Sequence, residues 1–474
     1  MTERTVSTKS FYLDQHGCAK NQVDGELIIS LLEDKGWLRT EQPESARVII
    51  INSCGFIESA KKESLDALFS ARKAYPDAKI ILAGCLAERY ADIFKQDLPE
   101  ADAVFGNGDL SKLDFLMNVL EKGLRPVVRP EQKGVCCGER KAFLGFPSSA
   151  YVKITEGCNN RCSFCAIPLI RGVLRSRSAD DIVDEIRGLR DRGIFEFNLI
   201  GQDLAAFGRD GVSTGDSANA LYFQSPSPLS LLLQKIGELE GDFWLRLLYI
   251  HPDHFPLDIL PIMTADKRFL PYFDIPFQSG AQKIIRAMNR NGSAEVYLDI
   301  VKNIRDAFEK AKSPYGEPQI RTTFLVGFPG ETDEDFNETI KFLKELRPLW
   351  SGGFTYSREE DTPSYSFKEK VPKKTAEARL AEIQNTQTSI TEKKLDSFIG
   401  KEIEVLVEEL IQAEDKAFLA LGRAWFQAPE VDGAVVLNFN LNKKDIDGNP
   451  IAPGSIVKAR IAARNGFDLE ALAV

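Results

Sequence analysis

No run of eighteen uncharged apolar residues occurs in the 474-residue chain, which argues against a membrane-spanning helix. The opening MTERTVSTKS has no apolar core and does not read as an export signal, so a cytoplasmic location is expected. Positive charge is also scarce: 60 Lys and Arg stand against 70 Asp and Glu, a formal net charge of -10. That balance argues against broad electrostatic attraction to nucleic acid, though it leaves room for a local basic patch. The length exceeds what one hydrophobic core usually serves, and two to four domains are expected. What the chain does have is eight cysteines. In a chain of cytosolic character these read as ligands or catalytic thiols rather than disulfides.

Three regions follow from the patterning. SFYLDQHGCAKNQVDGELIISLLEDKGW, ARVIIINSCGFIESAKKESLDALFSARKA and AKIILAGCLAERYADIFKQ each read as strand, turn and helix, and ADAVFGNGD follows them. Short apolar runs alternating with helix-length segments describe an α/β domain, residues 1–122, with a parallel sheet covered by helices. Cys18, Cys54 and Cys85 each fall just after one of its strands, and the carboxyl edge of a parallel sheet can bring such residues together. Residues 123–147 read as a linker rich in Pro, Gly, Lys and Arg that carries Cys136 and Cys137. From 148 to 395, strands such as FEFNLIG, WLRLLYI, YFDIPF and IRTTFLVGFPG alternate with helices, which describes a second, larger (βα) domain. The segment Gly208–Pro228 reads as a long surface excursion. Residues 396–474 change to short alternating segments, KEIEVLVEEL, AFLALGRAW, GAVVLNF and SIVKARIAA, which suit a small antiparallel β-barrel or sandwich. From Phe398 onward that region carries eight Lys and Arg against twelve Asp and Glu, a net of -4, unsuited to clamping phosphates.

The central domain opens with TEGCNNRCSFCAIPLIRG, which packs Cys158, Cys162 and Cys165 into one loop after the strand AYVKIT, with Gly157 freeing the backbone to turn. A structural zinc site needs four protein ligands, and the next histidine is His251, far along the chain. A [4Fe-4S] cluster held by three cysteines leaves one iron open to a small molecule. An open iron can chelate S-adenosylmethionine, reduce its sulfonium and release an adenosyl radical.

The spacing C-x3-C-x-aromatic-C resembles the radical S-adenosylmethionine (SAM) superfamily. The resemblance implies a partial (βα)6 barrel, an adenine against Phe164, and Gln202, Asp203, Arg246, Gln278 and the Gly327 turn around nucleoside and substrate. On its own GFPG, with Gly327, Pro329 and Gly330, reads equally as a turn that admits a ligand close to the backbone and as an ordinary βα turn. Cys18, Cys54 and Cys85 could be buried small hydrophobes, yet all three occupy strand-to-helix turns. Two three-thiol sets beside a short terminal barrel resemble the methylthiotransferase family, from about Ser10 to Ile461. The likeness implies two [4Fe-4S] clusters, with Cys18, Cys54 and Cys85 as auxiliary ligands, and SAM as both radical source and methyl donor. It also implies a terminal barrel of the TRAM kind, a reducing electron donor and a sulfur source. The chemistry sits at the clusters and needs no acid–base pair.

Within the family, HGCAKNQVDGE, NSCGFIESAKKESLDAL, RGVLRSRS and RAWFQAPEVDG resemble the branch that modifies the β-carbon of an aspartate in small-subunit ribosomal protein twelve. The expected partner is that protein, free or within the ribosome, with no membrane and no tRNA. The alternative is the tRNA-adenosine (C2) branch, which tends to carry Gln-Met-Asn after its first cysteine where this chain has Ala19, Lys20 and Asn21. One departure favours that alternative: Ser279 and Gly280 follow Gln278, where the protein-modifying branch usually has histidine. Lys153, Arg171 and Arg175 read equally as carboxylate-orienting groups or as solvated surface charge. His251 and His254 read as loop or supporting residues, and Cys136 and Cys137 as incidental linker thiols.

Overall fold

The computed structural model describes residues 9–211, 225–412, 418–440 and 442–474. Most of the expected excursion at Gly208–Pro228, residues 212–224, lies outside them, as does the opening tail. Among the described residues no helix is long and apolar enough to cross a membrane.

The first sheet has six parallel strands in the order Leu38–Arg39, Ser10–Gln15, Val48–Ser53, Lys79–Gly84, Ala103–Phe105 and Val127–Val128. Its last strand lies inside the segment expected to be linker. Val48–Ser53 is buried at every position, as a strand covered on both faces by helices must be. The three cysteine-bearing strands are neighbours in the sheet. Their ends are level, with Gln15 opposite Asn52 and Ser53 opposite Gly84.

The central sheet also has six parallel strands, taken in chain order: Ser149–Lys153, Glu196–Ile200, Trp244–Leu247, Phe269–Asp274, Gln319–Val326 and Trp350–Thr355. Its first and last strands do not pair, so it is an open partial barrel. The first domain touches both edges. Its helix Ala19–Asp34 packs against the first strand, while Arg89 reaches Glu359, just beyond the last strand, at 2.6 Å.

The carboxy-terminal strands Glu402–Gln412, Phe418–Ala424, Val435–Phe439, Asp468–Ala473 and Ile456–Asn465 close into a barrel in that spatial order. It is not wholly antiparallel, because Val435–Phe439 and Asp468–Ala473 pair in parallel to complete the ring. The fifth strand, DLEALA, escaped the pattern reading because it follows its partner after only two residues, Gly466 and Phe467.

The segment Arg423–Asp432 of this barrel fills the concave face of the central sheet and meets all six strands. Tyr151 Oη approaches Pro429 O at 3.5 Å, and Glu196 accepts from Arg423. Arg246 donates to Trp425 O at 2.7 Å and Tyr272 to Asp432 at 2.6 Å. Arg321 reaches Asp432 at 3.4 Å and Trp350 donates to Phe426 O at 2.7 Å. Phe426 stacks on Phe398 at 4.2 Å, and burying one such ring stabilises by ~1.5–3 kcal/mol. Burial opposes the charge on Glu196, but Arg423 and Arg246 overcome it and hold the carboxyl down at about 2. Glu408 shares Arg423 with Glu196, and burial, with the Glu196 charge, pushes it up to about 7.

Candidate active site

The auxiliary thiols meet because glycines let their turns touch. A β-carbon on Gly17 would stand 3.1 Å from Cys54 Cβ, and one on Gly55 would stand 2.7 Å from Cys85 O. Gly84, at φ +89°, leaves 2.6 Å between such a carbon and Asn52 Oδ1, so both its space and its backbone conformation demand glycine. Asn21 ties the floor together by donating to His16 O at 2.7 Å and Asn52 O at 3.1 Å. Cys85 is buried and accepts from Asn107 at 3.3 Å and Arg171 at 3.2 Å, whereas Cys18 is open to solvent.

The second thiol set lies in the loop after the first central strand. Gly157, at φ +70°, presses so closely on Val173 O that any side chain would collide. Cys158 N donates to Gly172 O at 3.1 Å and Cys165 N to Cys162 O at 3.1 Å, which curls the loop on itself. The Cys162 sulfur lies 3.7 Å from His251 Nε2, and His251 stacks on His254 at 5.3 Å. Both histidines therefore support the loop.

Burial, reinforced by the neighbouring thiols, pushes Cys54 and Cys165 up to about 12. Burial also raises Cys158, followed by the charge of Asp203. Cys18 goes the other way: the protein packed around its sulfur opposes ionisation even though the residue has an open surface, but Lys20 and Arg171 bring it below its ordinary value. Thiols of this kind give up their protons on binding metal. Among the described residues, no three His, Cys, Asp or Glu side chains close on a single metal ion. A cluster asks for something else, three sulfurs spread around a cubane with one corner open. Two separate three-thiol sets with glycine-relieved turns fit that donor requirement.

The helix Ile167–Arg171, directly after Cys165, joins the two sets: Ala166 and Ile170 pack on Cys85. Its last residue, Arg171, pairs with Asp24 at 2.9 Å and Glu156 at 2.7 Å, and Lys153 closes the square through the same two carboxylates. All four side chains are buried, so Lys153 and Arg171 are internal ties between domains. Arg175, half-buried, donates to Gly134 O at 2.6 Å and Val173 O at 2.8 Å.

The other expected residues divide. Phe164 packs beside Met288 and Phe328, with Arg290 5.9 Å from its ring. Asp203 accepts from Asn160 of the cysteine loop at 2.8 Å and from His251 N at 3.0 Å, which makes it a loop organiser. Gln202 approaches Glu156 at 3.4 Å while its buried side-chain oxygen lacks a partner. Gln278, at φ +71°, bridges to Phe324. Gly327 has φ +73°, leaves no room beside Ala376, and donates to Glu331 at 2.6 Å. Arg246 is drawn elsewhere: fully buried, it is spent on Glu196, Trp425 O and the Tyr272 ring. Cys136 is half-buried and donates to Gly108 O at 2.9 Å, whereas Cys137 is exposed.

Asp24, Glu156 and Asn107 were not singled out from the sequence. Asp24 lies on the helix that Cys18 caps and Glu156 two residues before Cys158, but pairing them needs the docked domains.

Residues 10–106 match the family described as Uncharacterized protein family UPF0004, residues 152–343 the Radical SAM superfamily and residues 399–474 the TRAM domain. Thiol domain, open barrel and terminal barrel together define a radical SAM enzyme of the methylthiotransferase class. A ribosomal protein uS12 methylthiotransferase RimO from Treponema denticola is 74% identical over 471 residues, covering 98% of this chain and 100% of the relative. One from Aquifex aeolicus is 38% identical over 454 residues, covering 96% and 94%. The chain belongs to this RimO family, whose cofactors are two [4Fe-4S] clusters and S-adenosylmethionine. Its fold is shared with a radical S-adenosylmethionine methyltransferase, TsrM, from Kitasatospora setae, solved with cobalamin and a [4Fe-4S] cluster bound (TM-score 0.50, 14% identity, 76% of this chain and 77% of that one).

Proposed function

We propose that the chain places a methylthio group on the β-carbon of an aspartate in ribosomal protein uS12, with Cys158, Cys162 and Cys165 holding the radical-generating cluster and Cys18, Cys54 and Cys85 the auxiliary one. The observation that carries the reading is the short helix Ile167–Arg171, which starts at one thiol set and ends on the sulfur of the other. When bound, the clusters and SAM supply an adenosyl radical at one set and sulfur at the other.

The chain's own residues hold and exclude. The β-carbon of a carboxylate side chain has no proton of useful acidity, so the site needs no general base. His251 and Asp203 fix the cysteine loop through Cys162 and Asn160. Phe164 offers an apolar face for an adenine, with Gln202, Gln278 and the Gly327 turn along the same rim. The square of Asp24, Lys153, Glu156 and Arg171 keeps the domains docked, so that one substrate side chain reaches both sets. The terminal barrel, acidic by net charge, helps to receive a basic ribosomal protein. Electrons and sulfur come from outside the chain, in the cytoplasm.

The test compares cells with and without the gene by mass analysis of uS12 and of tRNA nucleosides. The expected outcome is loss of the methylthio adduct from uS12 with tRNA unchanged. Loss from tRNA with uS12 unchanged would replace this reading by the tRNA-adenosine one.

A further inference from the structure

Lys20 is a buried cation that reaches out of the first domain. Its side chain crosses to the carboxyl edge of the central sheet, where Nζ donates to Gly201 O at 2.9 Å and lies 3.7 Å from the centre of the Tyr249 ring. Gly201 directly follows the strand Glu196–Ile200, and Tyr249 comes two residues after Trp244–Leu247. Tyr249 is held at φ +68°, a conformation that costs a bulky residue and persists only where the surroundings enforce it.

Three of the other basic groups here are paired with carboxylates. Arg171 and Lys153 share Asp24 and Glu156, two charges against two. Arg321 serves Asp274 and Asp432. Arg290 donates to Pro276 O and keeps an unpartnered Nε, but it lies beside the radical loop, 5.9 Å from the Phe164 ring, and not between the two thiol sets' domains as Lys20 does. Lys20 faces the Cys18 thiol but forms no ion pair with a carboxylate among the described residues, and one carbonyl and one ring face do not exhaust three N–H donors. A buried charge is costly unless an anion joins it.

We propose that Lys20 receives the side-chain carboxylate of the target aspartate and so selects an acidic residue for modification. The assignment rests on the uS12 reading above. An aspartate's carboxylate is bonded directly to its β-carbon, so a cation that fixes the one fixes the other. Lys20 follows Cys18 by two residues, and its Gly201 anchor lies on the edge that carries the second thiol set. A carboxylate on Nζ would therefore set its β-carbon between them. An adenine or an asparagine, being neutral, can accept a hydrogen bond from such a cation but gains much less from it than a carboxylate does.

The test uses anaerobically reconstituted holoprotein, with uS12 and uS12 carrying Asn at the target aspartate as the two probes. Wild type is expected to bind the Asp form about tenfold or more tightly than the Asn form. Lys20→Met should bind both equally, at the wild-type affinity for the Asn form, with its iron content and its SAM affinity unchanged. Lys20→Arg should keep the preference. A Lys20→Met protein that still prefers Asp overturns the proposal. So does one that loses the auxiliary irons, since Lys20 would then balance cluster charge, or one whose deficit is in SAM affinity without uS12, since the carboxylate would then be the cofactor's. Wild type that modifies uS12 while Lys20→Met discriminates as before sinks the Lys20 assignment alone. Wild type that neither binds nor modifies uS12 sinks the functional reading.

Discussion

Arg171, the last residue of the helix that follows the radical loop, places its guanidinium 3.2 Å from the sulfur of Cys85 in the other domain. Removing that guanidinium leaves Asp24 and Glu156 buried with only Lys153 between them. Arg171→Met should lower stability by about 3–5 kcal/mol, the usual cost of leaving a buried charge uncompensated. Chemical denaturation of the holoprotein reads this out, and an unchanged midpoint would show that the square is not a tie between domains.

Gly84→Ala tests the auxiliary turns, because the new methyl would meet Asn52 Oδ1 at 2.6 Å and Ser53 O at 2.7 Å. The expected outcome is a drop from about eight irons per chain to about four, while 5′-deoxyadenosine still forms with a strong reductant. Gly36→Ala is the control, with a similar φ of +78° and open space around it. It should keep all its iron and cost about 1 kcal/mol in backbone strain.

Arg246→Met separates the nucleoside role that the family resemblance implied from the position the structure gives this residue. With Arg246 bound to Glu196 and Trp425 O, the variant should lose about 3–5 kcal/mol of stability. SAM affinity, measured by equilibrium binding on the folded fraction, should stay at the wild-type value. A stable variant that has lost SAM would return Arg246 to the cofactor.

Glu408 sets a pH dependence. Its folded-state carboxyl titrates at about 7 against a reference of 4.5, so between those values the folded protein holds the proton more tightly than the unfolded chain. This group's contribution to stability is therefore present below about pH 4.5 and is lost as pH rises through about 7. Glu408→Gln mimics the protonated form. It should be close to neutral at pH 5 and stabilising at pH 8 by an amount on the order of 2 kcal/mol, measured as the difference from wild type in thermal unfolding. An equal effect at both pH values would place the titration elsewhere.

The sheet positions of Cys18, Cys54 and Cys85 were legible because strand period and turn glycines are local signals, and a parallel sheet gathers its strand ends wherever the strands fall in the sequence. Cys158, Cys162 and Cys165 were placed in one loop by their spacing alone, since they fall within eight residues of sequence. The surroundings of Arg246 were not legible, because its strand pattern reports an inward-facing side chain but not what fills the space inside. That filling is Trp425, almost 180 residues later. Lys153 and Arg171 were ambiguous for a related reason: a charge looks solvated until the carboxylates that bury it, one of them on the first domain's opening helix, are brought up by docking.

Arg423–Asp432 meets each of the six central strands. Ribosomes release a chain from its amino end, so the strand Trp350–Thr355 emerges some 70 residues before Arg423 does. During that interval Glu196, Arg246 and Tyr272 face a hollow that the finished molecule does not have. The catalytic domain thus completes its interior out of chain order, and the piece synthesised last decides when the middle of the protein has finished folding.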